Sequence, residues 1–122
     1  MSDRRSGSGA GLGATGEDAA LEAYRRRGYR LVARNWRCPI GEVDLILSRG
    51  GVLVFCEVKS RRSAGFGGPH DAVTWRKQRK LRQLAEAFLA GLDPQPETVR
   101  FDVASVVLDE RRRSVHLFEQ AF

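Results

Sequence analysis

Cysteine is scarce in this chain. Cys38 and Cys56 are the only two, too few and too far apart for a zinc site, and reduced thiols are expected in a cytosolic protein. Long apolar runs are missing as well. The longest is VLVFC, residues 52–56, whereas a membrane span needs roughly 18 residues or more. The opening MSDRRSGSGAGLGATGE has glycine and serine where a signal peptide needs an apolar segment. The expectation is a cytoplasmic protein in which residues 1–14 form a disordered tail and residues 15–122 a single domain. The two histidines, His70 and His116, have no partners at metal-ligand spacing, and no GxxxxGK[ST] phosphate loop or internal repeat is present. Lysine is rare too. Of 21 Lys and Arg, only Lys59, Lys77 and Lys80 are lysine, which singles those three out.

The 122 residues are 42% hydrophobic and 30% charged, a globular composition. A net charge of +6 and a pI of 10.1 favour a polyanionic partner, nucleic acid first and an anionic membrane surface second. Residues 17–27 read as a helix. Thr15 and Asp18 resemble a capping box, Gly28 is a plausible terminator, and Ala20, Leu21 and Tyr24 share one face with Glu17. YRLVARNWR reads as a strand closed by Pro39. EVDLILS and VLVFCEVK read as two more, joined at the Gly50-Gly51 turn. SRRSAGFGGPH is a loop, either a plain connection or a flap. A longer helix spans about 72–90, and VRFDVASVVL and SVHLFEQ are late strands around the turn DERRR. This order describes a mixed sheet with helices packed on it.

The chemistry centres on GEVDLILSRGGVLVFCEVKSRR, residues 41–62. If Gly50-Gly51 forms a two-residue turn, Arg49 faces Val52, Asp44 falls opposite Glu57, and Glu42 opposite Lys59. Like charges on directly opposed strand positions are destabilising, and close carboxylates raise each other's proton affinity. A divalent cation relieves both, and oxygen ligands suit Mg²⁺ or Mn²⁺. Lys59 projects from the Glu57 face, where an amine can deprotonate water or neutralise phosphate charge. The D…ExK pattern therefore reads as metal-assisted phosphodiester hydrolysis. The plain alternative is exposed strand acids, with Glu42 and Lys59 as an ordinary cross-strand ion pair. A one-residue slip in register would send Asp44 and Glu57 to opposite faces.

Together with that motif, the blocks GEDAALEAYRRRGY, ARNWR, GEVDLI, VFCEVKSRR, AVTWRKQRKL, RFDV and the terminal AF occur in order. In these the chain resembles the bacterial YraN family, proteins without an assigned cellular role. They are similar to the restriction-endonuclease-like PD-(D/E)xK nucleases and to archaeal Holliday-junction resolvases. The resemblance implies an α/β fold with an αβββαβ core, a mixed β-sheet flanked by helices, and a metal-dependent nuclease site. By position, Asp44 and Glu57 would hold the metal, Lys59 would be the catalytic lysine, and Glu17 would complete the site. Val43 stands where the motif has proline. The resemblance favours DNA over RNA, branched or single-stranded DNA in particular. Because junction resolvases act as dimers, it also admits a homodimer.

Other residues carry paired readings. Glu17 is either a first-turn acid favoured by the helix dipole or a member of the site. The second helix opens TWRKQRK, where Lys77, Gln78 and Lys80 are candidate nucleic-acid contacts, against a merely solvated basic face. Arg61 and Arg62 follow the ExK strand and suit phosphate contacts. Asp102 alternates with Arg100 on an edge-like strand and suits an ion pair. Trp36 and Trp75 suit base stacking or rim packing. The function alternatives are a nuclease, a nucleic-acid-binding module on the same fold that does not cut, and an assembly factor. No specific residue favours the last.

Overall fold

A computed structural model describes residues 10–62, 74–109 and 112–122. Helix α1 (Ala10–Arg26) starts earlier than the capping pattern implies. Thr15 lies inside the helix, and Asp18 bonds Arg34 at 2.8 Å instead of closing a capping box. Residues 10–14 of the expected tail are thus helical, while residues 1–9 lie outside the described residues. So do the expected flap, His70, and Ala72 and Val73 of the expected second helix. The faces of α1 fall as its apolar spacing requires. Ala20, Leu21 and Tyr24 are buried, whereas Glu22 and Arg26 pair in solvent at 3.1 Å.

Five strands follow in spatial order β1-β2-β3-β4-β5: β1 (Arg30–Cys38), β2 (Gly41–Arg49), β3 (Val52–Arg61), β4 (Thr98–Leu108) and β5 (Arg113–Phe118). Helix α2 (Trp75–Ala90) links β3 to its parallel neighbour β4, and the other pairings are antiparallel. This is the α/β fold with a mixed sheet that the sequence implies, and it is consistent with a restriction-endonuclease-like core.

Strand alternation divides the apolar residues between two cores. Val54 and Cys56 of β3, with Ala104 and Val106 of β4, meet Ala20, Leu21 and Tyr24 of α1. Leu53 and Phe55, with Val99 and Phe101, meet Leu81, Leu84 and Phe88 of α2. Phe55 is the hub of the second core, its ring 5.8 Å from Phe88 and 5.9 Å from Phe101. Burying one such ring contributes ~2–3 kcal/mol. Cys56 is fully buried, as a small core residue.

Strand β4 lies inside the sheet, so Asp102 is not on an edge. It is fully buried and accepts hydrogen bonds from Tyr24 Oη at 2.7 Å, two guanidinium nitrogens of Arg100 at 2.9 Å, and the Gln120 amide at 3.1 Å. Each of its acceptors is met, which is the condition for keeping a buried carboxylate.

The Gly50-Gly51 turn sets the register the sequence predicts. Arg49 pairs with Val52, and the rows continue to Leu45 with Cys56. Gly50 takes φ of +60°, a conformation costly for residues with a Cβ. The ladder stops at Leu45, one row short of Asp44 and Glu57. Just there β2 leaves strict alternation, because Val43 and Ile46, three residues apart, both pack on the α2 side. Their partners on β1, Trp36 and Ala33, do the same. Between those partners sits Asn35 with φ of +52°, a left-handed residue that interrupts the pleat.

Candidate metal centre and lysine cluster

The candidate site forms where the β2–β3 ladder ends and the N-terminal parts of both helices approach the sheet. Asp44 is partly buried there. Its Oδ2 accepts the backbone N–H of Val58 at 2.8 Å, which fixes the carboxylate between the strands. Burial pushes its pKa up to about 7 from the ordinary 3.8. The Val58 bond opposes the rise, and Glu57, Glu17 and Glu42 add to it through their charge. An acid raised this far by burial and like charge is a marker of functional sites.

Glu17 reaches Asp44 from α1. Its side chain is 14% exposed, against 59% for Asp18 next to it, so the inward face of the helix carries it into the site. Gly16 makes this approach feasible, since a Cβ there would collide with the Ser60 side chain on β3. Single carboxylate oxygens of Glu17, Glu42 and Asp44 all lie within 4.8 Å of one another. Asn35 Nδ2 bridges two of these acids, donating to Glu17 at 3.0 Å and Glu42 at 2.8 Å. Arg34 bonds Glu17 at 3.1 Å, and Arg37 pairs with Glu42 at 3.3 Å.

Glu57 is not among those three clustered acids. It faces the α2 side, where Lys59 Nζ is 3.5 Å away and Lys77 Nζ 3.7 Å. The side chain of Lys59 is 19% exposed and that of Lys77 51%. Burial and the hydrogen bond with Lys77 hold the Lys59 amine below its ordinary value, against the opposing pull of Glu57. The same bond with Lys59 holds Lys77 above its own.

The structure brings together Glu17 with Asp44, and Glu57 with Lys59 and Lys77. It does not pair Glu42 with Lys59, because Glu42 lies opposite Arg37 on β1 and bonds there. Lys80 lies against the start of β2, close enough that a Cβ at Gly41 would come 3.0 Å from its Cε. All three lysines thus gather at one end of the sheet. Gln78 is partly buried in the first turns of α2, while Arg61 ends β3 and Arg62 is exposed just beyond it. Trp36 is packed edge-on against Phe88 at 5.3 Å and belongs to the core. His116 is exposed and stacks on Phe118 at 4.2 Å.

Asn35 carries no signal of its own in the motif, and Glu42, which the sequence places only opposite Lys59, joins the acid cluster instead. The signal was the short Pro39-Ile40 turn. It sets Arg37 against Glu42 and places Asn35, a residue tolerant of positive φ, beside Asp44.

These residues fall within a stretch shared with known proteins. The family model for the uncharacterised protein family UPF0102 matches residues 16–106. A UPF0102 protein of Symbiobacterium thermophilum is 52% identical over 95 residues, covering 78% of this chain and 80% of its own length. One of Caldicellulosiruptor saccharolyticus is 41% identical over 113 residues, covering 91% and 96%. One of Nocardia farcinica is 46% identical over 104 residues, covering 85% and 82%. With the match running from Gly16 through every acid and lysine of the cluster, the chain belongs to the uncharacterised protein family UPF0102.

Proposed function

We propose that this chain is a divalent-cation-dependent nuclease that hydrolyses phosphodiester bonds of DNA, with Asp44, Glu57, Lys59 and Glu17 as its reacting set. The observation that carries the reading is the Asp44 carboxylate, pinned by Val58 and pushed to about 7 by burial and three surrounding acids. A cation relieves that repulsion directly. The oxygens of Glu17, Glu42 and Asp44, all within 4.8 Å of one another, are hard donors of the kind Mg²⁺ or Mn²⁺ takes, and Glu57 stands outside that group. Asp44 and Glu57 are the ligands expected from sequence, and Glu17 and Glu42 extend the set. When bound, such an ion supplies charge neutralisation at the phosphate and a more acidic water.

The chain's own groups supply the remainder. Lys59, with its lowered proton affinity, suits proton transfer with the attacking water. Lys77 keeps its charge and suits a phosphate oxygen in the transition state. Arg61, Arg62, Gln78 and Lys80 extend a basic surface for the backbone on either side. DNA rather than RNA, and branched or single-stranded forms in particular, rest on the resemblance to junction resolvases.

One observation favours a second reading, a nucleic-acid-binding module that does not cut. Arg34, Asn35 and Arg37 already bond Glu17 and Glu42, so those acids are satisfied without an ion. An Mn²⁺ cleavage panel of duplex, single-stranded, flapped and four-way DNA plus RNA separates the two. Under the nuclease reading, Asp44→Ala and Glu57→Ala abolish cutting and leave salt-sensitive binding in place. Variants that cut as well as the parent would refute the assigned chemistry. Binding with no cutting of any substrate would favour the module.

A further inference from the structure

Trp75 is the most exposed large apolar side chain among the described residues, at 70%. It opens α2, and the start of that helix is fixed because the Thr74 hydroxyl accepts the Lys77 N–H at 3.2 Å. The indole therefore stands on a rigid element. The charged residues in the first two turns of α2 are all basic. Arg76, Lys77, Arg79 and Lys80 are exposed beside it, and no acid lies in the first turn. The guanidinium of Arg79 lies 5.3 Å from the ring centroid. Two residues on, Lys77 contacts Glu57 beside Lys59.

We infer that Trp75 is a stacking platform for an unpaired base, held next to the acid–lysine cluster by the phosphates that Lys77, Arg79 and Lys80 attract. The inference rests on the proposed nucleic-acid role and narrows its substrate to single-stranded or locally unpaired DNA. An exposed aromatic ring among cations is how non-sequence-specific single-strand sites bind, because every base has a π-face. A base still stacked in intact duplex offers no such face. The competing occupant, an anionic membrane surface, fits less well. A helix lying in a membrane interface presents an apolar face of several residues, whereas on α2 Leu81, Leu84 and Ala85 are buried and Phe88 and Leu89 pack partly buried against the same core. The other exposed large hydrophobics among the described residues, Val32 and Ile40, lie on β1 and at the β1–β2 turn.

The test is binding without catalysis. Fluorescence anisotropy of a dye-labelled oligothymidylate of about 20 nucleotides, sized to span more than one typical single-strand site, is measured in EDTA with the full chain, Trp75→Phe and Trp75→Ala. Trp75→Ala should bind roughly tenfold more weakly or worse, as expected when one base–aromatic stack is lost. Trp75→Phe should keep most of the affinity, and both should melt as the parent does. Against intact duplex of the same length the three proteins should bind alike. Replacing the thymines with abasic residues should erase the difference between parent and Trp75→Ala. Equal single-strand binding by parent and Trp75→Ala overturns the inference, as does an equal loss on duplex. Trp75-dependent binding to phosphatidylserine-containing vesicles, with none to the oligonucleotide, would assign the ring to a membrane instead. Because EDTA removes the cation, a protein that stacks bases but never cuts DNA leaves this inference intact and refutes only the nuclease chemistry.

Discussion

Replacing Asp44 with asparagine isolates the cost of holding a charge in the site. Asparagine keeps the shape and still offers an oxygen to the Val58 N–H that Asp44 now accepts, while removing the negative charge. Since the folded value of about 7 lies above the ordinary 3.8, the folded state binds a proton more tightly than the unfolded chain does. The stability this confers is complete below pH 3.8, declines as pH rises, and is gone above about pH 7. The full difference corresponds to ~4 kcal/mol, which solvent screening of a partly exposed carboxylate reduces to ~1–2 kcal/mol. Asp44→Asn should therefore melt roughly 3–8 °C above the parent at pH 8 and level with it at pH 4. Mn²⁺ at pH 8 should raise the parent's melting temperature and leave the variant unmoved. Scanning calorimetry at low salt from pH 4 to 8 measures both effects. A gain independent of pH, or no gain at pH 8, would refute the view that charge at Asp44 strains the fold.

Three further outcomes follow from the same geometry. Gly16→Ala should destabilise by about 1–3 kcal/mol through its clash with Ser60, despite alanine's better helix propensity. In a Ser60→Gly background the change should become neutral or better in urea melts, and equal losses in both backgrounds would sink the close-approach argument. At the buried polar cluster, Asp102→Ala should cost about 3–5 kcal/mol by stranding Arg100, and Tyr24→Phe about 1–2 kcal/mol. Urea denaturation distinguishes the two, and a cheap Asp102→Ala would mean that Arg100 is readily rehydrated. A thiol reagent should label Cys38 in the folded protein and reach Cys56 only on unfolding, because Cys56 is fully buried and burial pushes its thiol well above the ordinary value. Mass spectrometry of the labelled chain checks the order.

The chain alone determined the elements and the register of the central hairpin. The Gly50-Gly51 turn fixes which residue faces which, and period-two alternation then assigns Val54 and Cys56 to one core and Phe55 to the other. The same alternation, extended to Asp44 and Glu57, was legible as a motif but not as a geometry. Where the acids finally sit depends on Asn35 in its left-handed conformation on the neighbouring strand, on Gly16 admitting α1 close to Ser60, and on α2 delivering Lys77 to Glu57. The last two are contacts between segments far apart in the chain. Local propensity and spacing determine turns and faces because neighbouring residues alone set those energies. The company a carboxylate keeps across a sheet is decided only when both helices have packed.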